Sequence, residues 1–93
     1  MTQNITQPKP WFVYLLRTAQ GSLYTGISTD PERRLREHEG SARGARSLRG
    51  KGPLELVWRC AAADRSSASA LEARIKRLSR ARKLELIKHG TLL

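Results

Sequence analysis

Cysteine is almost missing from this 93-residue chain, with Cys60 standing alone. A single thiol excludes an intramolecular disulfide and suits a reducing compartment. Cys60 continues the alternating row Leu54, Leu56, Trp58, so it reads as a small buried apolar residue. Long hydrophobic runs are missing too. The longest, Trp11 to Leu16, covers six residues, far short of a bilayer span. Residues 1–10 lack a signal peptide's apolar stretch, and their polar side chains and prolines suggest a loose leader ahead of one domain over 11–93. These absences place the chain in the cytoplasm, away from membranes. Acidic residues are scarce as well, 8 against 18 Lys and Arg. That scarcity disfavours a two-metal carboxylate cluster, and one cysteine with two separated histidines cannot assemble a zinc site.

What the chain has is positive charge, a formal +10. Such an excess attracts polyanions. Because it is spread over several elements, nucleic acid fits better than a membrane surface, which a single amphipathic helix would serve. A chain of this size buries only about 60–65% of its unfolded surface, so its core must be compact. There is no internal repeat and no dividing linker.

Trp11 to Arg17 and Leu23 to Ser28 are rich in aromatic and β-branched residues and flank the turn-like Thr18-Ala19-Gln20-Gly21, which predicts a hairpin. Asp30-Pro31 starts a helix that runs to about Glu39 and stops at Gly40. Residues 41–53 read as a glycine-rich basic loop, Leu54 to Cys60 as a third strand. Asp64 or Ser66 caps the next helix, whose Leu71, Ile75 and Leu78 form an apolar stripe. A last helix spans Arg80 to His89 and ends at Gly90. Strands and helices in this order suggest an α+β fold, a small antiparallel sheet with helices packed on it.

Parity decides whether Tyr14 and Tyr24 share a face. A turn centred on Ala19 sets Tyr14 opposite Tyr24 and Phe12 opposite Gly26, leaving open space beside the phenols. A one-residue slip sets Tyr24 opposite Leu15. Glycine inside a strand marks close approach by a ligand or another backbone; the plainer alternative is that both tyrosines fill a half-buried face. Arg34 and His38 stand at i, i+4 and project from one helical face, while Leu35 anchors the helix to the sheet. An arginine fork suits a scissile phosphate, and a nearby histidine suits water or proton handling. The surrounding Glu32, Arg33, Arg36, Glu37 and Glu39 equally describe a solvated charged face. Glu72 is the only acid between Asp64 and Glu85. One carboxylate suffices for a Mg²⁺ or Mn²⁺ ion completed by water and phosphate oxygens, or it simply pairs with Lys76. Two basic tracts remain for a sugar–phosphate backbone: Arg43, Arg46, Arg49 and Lys51 in the loop, then Arg74, Lys76, Arg77, Arg80, Arg82 and Lys83. Nothing in them resembles a base-reading code.

Taken in order, these residues resemble the GIY-YIG nuclease superfamily. Phe12-Val13-Tyr14 stands at the first motif and Tyr24-Thr25-Gly26 at the second. The spacing from Tyr24 to Arg34 matches, His38 follows, and Glu72 falls at the helical glutamate. The resemblance runs from about Trp11 to Lys83. Gly44-Ala45-Arg46 and Arg49-Gly50-Lys51-Gly52-Pro53 are similar to the small stand-alone, YhbQ-like branch. The resemblance implies a three-stranded antiparallel sheet flanked by helices and metal-dependent hydrolysis of DNA phosphodiesters, structure-directed and serving repair or recombination. It also implies roles. Tyr24 would activate water, and Tyr14 would support it or position the phosphate. Arg34 would bind the scissile phosphate with His38 assisting, Glu72 would hold a single Mg²⁺ or Mn²⁺, and Gly26 would be structural at the site. A phenol with an ordinary pKa near 10 is a poor base at neutral pH, so metal and cationic surroundings must lower it. Phe12 departs from the motif's glycine, and Ile27 replaces a lysine of the excision-repair relatives. With no appended domain, targeting falls to the basic surface or a protein partner. The competing readings are a non-catalytic DNA- or structured-RNA-binding module and a basic adaptor for a larger protein; the oligomeric state stays open.

Overall fold

The first two strands, β1 (Trp11–Arg17) and β2 (Leu23–Ser28), form the expected antiparallel hairpin, but in another register. Tyr14 faces Gly26, Leu16 faces Tyr24 and Phe12 faces Ser28. The turn explains the shift. Thr18 N donates to Ser22 O and Gly21 N to Thr18 O, each at 2.9 Å, and Gly21 takes φ +90°. Three residues therefore reverse the chain, the last in the left-handed conformation glycine favours. The same three-residue turn centred on Ala19 would put Gln20 in that left-handed position, where a side chain is strained. The displacement moves each partner by two positions, so the tyrosines still share a face.

The computed structural model describes residues 10–40 and 53–90. Beyond the hairpin lie α1 (Pro31–Gly40), β3 (Glu55–Ala62), α2 (Arg65–Lys76) and α3 (Arg80–His89). The leader, apart from Pro10, and the basic loop with Arg43, Arg46, Arg49 and Lys51 fall outside the described residues. Caps sit where the sequence put them. Asp30 Oδ1 accepts from Arg33 N at 3.1 Å, and Asp64 Oδ1 accepts from Ser67 N at 2.8 Å. Gly90 ends α3 at φ 74°, relieving the strain a side chain would meet there.

The sheet has the order β2-β1-β3, all antiparallel, so β1 is central and buried on both faces. On one face Val13 and Leu15 pack with Trp58, Ala68, Ile75 and Leu86, under α2 and α3. On the other, Tyr14 and Leu16 pack with Tyr24, Leu54, Leu56 and Leu35, under α1. Burying a large aliphatic side chain contributes about 1.5–3 kcal/mol, so these two clusters hold the three layers together.

The alternation expected along the third strand breaks in the middle. Leu15 pairs with Trp58 but Leu16 pairs with Leu56, leaving Val57 as a bulge. Leu54 and Leu56 therefore join the α1 side, whereas Val57, Trp58 and Cys60 join the other. Cys60 is only partly buried there, a correction to its sequence reading. Across the chain segment between α1 and β3, Glu39 Oε2 accepts from Leu54 N at 3.0 Å, tying the end of the helix to the start of the strand.

Candidate active site

Two strands and α1 bring four of the expected residues together. The Tyr14 and Tyr24 rings lie with centroids 6.5 Å apart at 44°. His38, buried at 5% exposure, puts Nε2 3.2 Å from the Tyr14 hydroxyl. Its ring also meets Tyr24 edge-on, centroids 5.4 Å apart. Both contacts follow from sequence: equal parity places the phenols on one face, and the helical turn from Arg34 to His38 aims both side chains at them.

Gly26 is what allows this. A Cβ there would meet the Tyr14 hydroxyl at 2.5 Å and its ring carbon Cζ at 2.6 Å. The ring of Tyr14 lies across the glycine, so the space predicted beside the phenols is filled by one of them. Glycine accommodates a neighbouring side chain here, in place of a ligand.

The electrostatics separate the roles. Burial pushes the Tyr14 phenol well above its ordinary value, with the charges of Tyr24 and Glu72 acting the same way and Arg34 opposing by charge and hydrogen bond. Tyr14 therefore stays protonated at neutral pH. Burial, then the Arg34 charge, holds His38 below the ordinary histidine value, with Glu37 opposing. A neutral imidazole carries one ring proton, so the donor in the bond between the Tyr14 hydroxyl and His38 Nε2 is set by the histidine tautomer.

Arg34 is oriented by a residue the sequence reading left on the solvated face. Arg34 Nη1 donates to Glu37 Oε1 at 2.8 Å, with both side chains about 30% exposed. This bond is the largest reason the guanidinium holds its proton still more firmly than usual. The i, i+3 spacing from Arg34 was the available signal. A further pair was also missed. Arg59, opposite Tyr14 on β3, ties its fork to both Glu32 oxygens.

Glu72 comes from α2, in the layer across the sheet, yet its charge acts on the Tyr14 phenol. The expected pairing with Lys76 also forms, at 3.5 Å, with Glu72 22% exposed. The second basic tract is dispersed: Lys76 pairs with Glu72, Arg82 with Glu85, and Arg80 donates to Gly21 O at 2.8 Å, while Arg74 and Arg77 are exposed. An open recess of about 350 Å³ at the hairpin end is lined by Arg17, Thr18, Ala19, Gly21, Pro53, Leu54 and Glu55, none of them in the tyrosine cluster.

Paired phenols, an arginine braced by Glu37 and a buried histidine thus meet on one face of a small sheet. The chain belongs to the GIY-YIG family, matching its catalytic domain over residues 10–85. It is 53% identical over 87 residues to a UPF0213 protein of Pectobacterium carotovorum, covering 94% of this chain and 86% of that one. The solution NMR structure of a UPF0213 protein from Bacillus halodurans matches with a TM-score of 0.55 and 38% identity, covering 87% of this chain and 86% of the other. A solution NMR structure of a protein from E. faecalis matches with a TM-score of 0.59 and 34% identity, covering 90% and 88%. The three-stranded sheet flanked by helices is thus the family fold, as the sequence led us to expect. GIY-YIG domains form a nuclease superfamily and generally work with a divalent metal.

The residues present fit such a metal in one way. Among the described residues, no group of three or more His, Cys, Asp and Glu side chains could hold an ion. Glu72 offers one hard oxygen donor whose partner, the 57% exposed Lys76, is readily displaced. A hard divalent cation that keeps its waters and takes phosphate oxygens would suit that donor set.

Proposed function

We propose that this chain is a divalent-metal-dependent nuclease that hydrolyses DNA phosphodiesters, directed by substrate structure such as a branch, a single-stranded segment or damage. The observation that carries the reading is the contact of Tyr14 with His38 beside Tyr24 and Arg34, together with the charge of Glu72 acting at the same phenol.

The assignment of roles follows from the protonation states. Tyr14, kept neutral, is a hydrogen-bond donor and a poor base, so its work is to position. Tyr24 would activate the attacking water, its own hydroxyl proton passing to the unprotonated nitrogen of the His38 imidazole beside its ring before it takes the proton of the water. Arg34, braced by Glu37 and bonded to Tyr14, would turn its guanidinium to the scissile phosphate and to the charge that grows on it. Glu72 would hold a single Mg²⁺ or Mn²⁺ ion, which when bound supplies charge stabilisation and a more acidic water. The basic side chains Arg43, Arg46, Arg49, Lys51, Arg74, Lys76 and Arg77 would contact the backbone without reading sequence.

Among the described residues no helix is long and apolar enough to cross a membrane. With one free cysteine, the chain suits the cytoplasm. The test is cleavage of duplex, single-stranded, flap and junction DNA with Mg²⁺ or Mn²⁺, running Glu72→Ala and Tyr24→Phe beside the wild type. Cleavage lost in both variants while binding persists supports the nuclease. Equal, salt-sensitive binding by all three with no cleavage on any substrate would leave a DNA- or RNA-binding module instead.

A further inference from the structure

The residue that departs most from the family motif stands beside the site. Phe12 lies on the same face as Tyr14, two positions along β1 and so about 7 Å away. Its cross-strand neighbours are small, Ser28 on β2 and Ala61 on β3, and its ring remains partly exposed. The Arg59 guanidinium lies over that ring, 5.5 Å from the centroid.

Arg59 is not a loose surface cation. Both ends of its fork are engaged by Glu32 at the start of α1, one of them at 3.0 Å, which fixes the plane of the guanidinium. The same carboxylate neutralises its charge, so this arginine is a weak phosphate clamp. Its flat π-surface survives. With the Arg59 and Glu32 side chains 43% and 48% exposed, the pair is reachable from solvent on the side away from Phe12. Trp11 and Arg65 form a comparable pair at 5.6 Å, but Trp11 belongs to the opposite cluster and does not adjoin the phenols.

We propose that Phe12 and Arg59 form a stacking platform for one unpaired nucleobase, the one attached next to the phosphate held at Tyr14 and Arg34. Aromatic rings and guanidinium planes both accept stacked bases, in a way that tolerates any sequence. A base inside a duplex has its faces covered, so the platform selects a strand with at least one unstacked base at the cleavage position. This rests on the nuclease reading and narrows it to single-stranded or flap-like substrates.

The test separates bases from phosphates. The full-length Glu72→Ala chain, without metal, is titrated with a dT oligonucleotide and with an abasic oligomer of equal length. Stacking predicts roughly fivefold or greater preference for dT, since one stacked base is worth at least that ratio. Phe12→Leu, which keeps an apolar strand residue, brings the ratio toward one. Arg59→Lys keeps the charge, removes the plane and also lowers the ratio; it serves as the second variant if Phe12→Leu unfolds. The salt dependence stays as in the parent, because no phosphate contact is removed. If both variants weaken dT and abasic binding equally, or the preference survives in both, the platform is overturned while the nuclease reading stands. If base-dependent binding follows Phe12 but the wild type cleaves nothing, catalysis fails and the platform stands.

Discussion

Tyr14 lies directly across Gly26, so closely that a Cβ on the glycine would sit 2.5 Å from the phenol oxygen. Tyr14 is 1% exposed, so its ring can move only by pushing its neighbours. Gly26→Ala is therefore expected to displace the ring, costing about 1–3 kcal/mol as overpacking. It should also break the bond to His38. Thermal unfolding reads the first effect, and the NMR shift of the His38 ring nitrogens reads the second.

His38 makes stability depend on pH. Its folded value lies below the ordinary 6.5 because of burial, so in acid the unfolded chain binds a proton that the folded chain refuses. The contribution is fully present above that ordinary value and is lost as pH falls toward the folded one. Denaturant unfolding between pH 8 and 5 should show stability falling with acid by up to about 1.4 kcal/mol per pH unit. His38→Gln should flatten that limb. Asp64, held low by its bonds to Ser67, acts in a separate window below its ordinary 3.8 and should leave the histidine limb untouched.

Glu37 is expected to matter for turnover more than for folding. An i, i+3 pair on an exposed helix contributes only a few tenths of a kcal/mol to stability. Freeing Arg34 from its brace is expected to lower kcat/KM about fivefold, the equivalent of about 1 kcal/mol for a charge-assisted bond at partial exposure. Glu37→Gln, able to accept from Nη1 still, should recover part of it. A Glu37→Ala enzyme with wild-type kcat/KM would show the contact to be a surface pair only.

Glu72→Gln should leave the melting temperature nearly unchanged, since its pair with Lys76 is long and partly exposed. DNA binding without metal should persist. Cleavage should disappear, and the chain should lose its Mn²⁺ affinity in a paramagnetic NMR titration. That titration reports metal binding independently of turnover.

Most element boundaries were legible in the sequence because local signals set them. Asp30-Pro31, Asp64 and Gly90 start or stop helices through their own backbone chemistry, and each does so here. The parity of Tyr14 and Tyr24, and the i, i+4 spacing of Arg34 and His38, carried the site as far as a shared face. What stayed hidden depends on single residues between the elements. The hairpin register turns on Gly21 adopting a left-handed conformation, which moves the turn centre one residue beyond Ala19. The row Leu54, Leu56, Trp58, Cys60 keeps a spacing of two, so only the apolar Val57 between Leu56 and Trp58 hints at the bulge. Glu37 and Arg59 looked like ordinary surface charges until their partners were in place.

The bulge lets two adjacent apolar residues, Val57 and Trp58, enter the layer beneath α2 and α3 while Leu56 and Arg59 stay on the side of α1. Replacing Val57 with another residue is a local change. Deleting it would join the Leu16–Leu56 and Leu15–Trp58 pairs into an unbroken ladder, and every later residue of the strand would keep its side. The division between a sealed side and a reactive side of this sheet is thus held by the pairing on either flank of the bulge, and β3 can lose a residue at this one point without exchanging them.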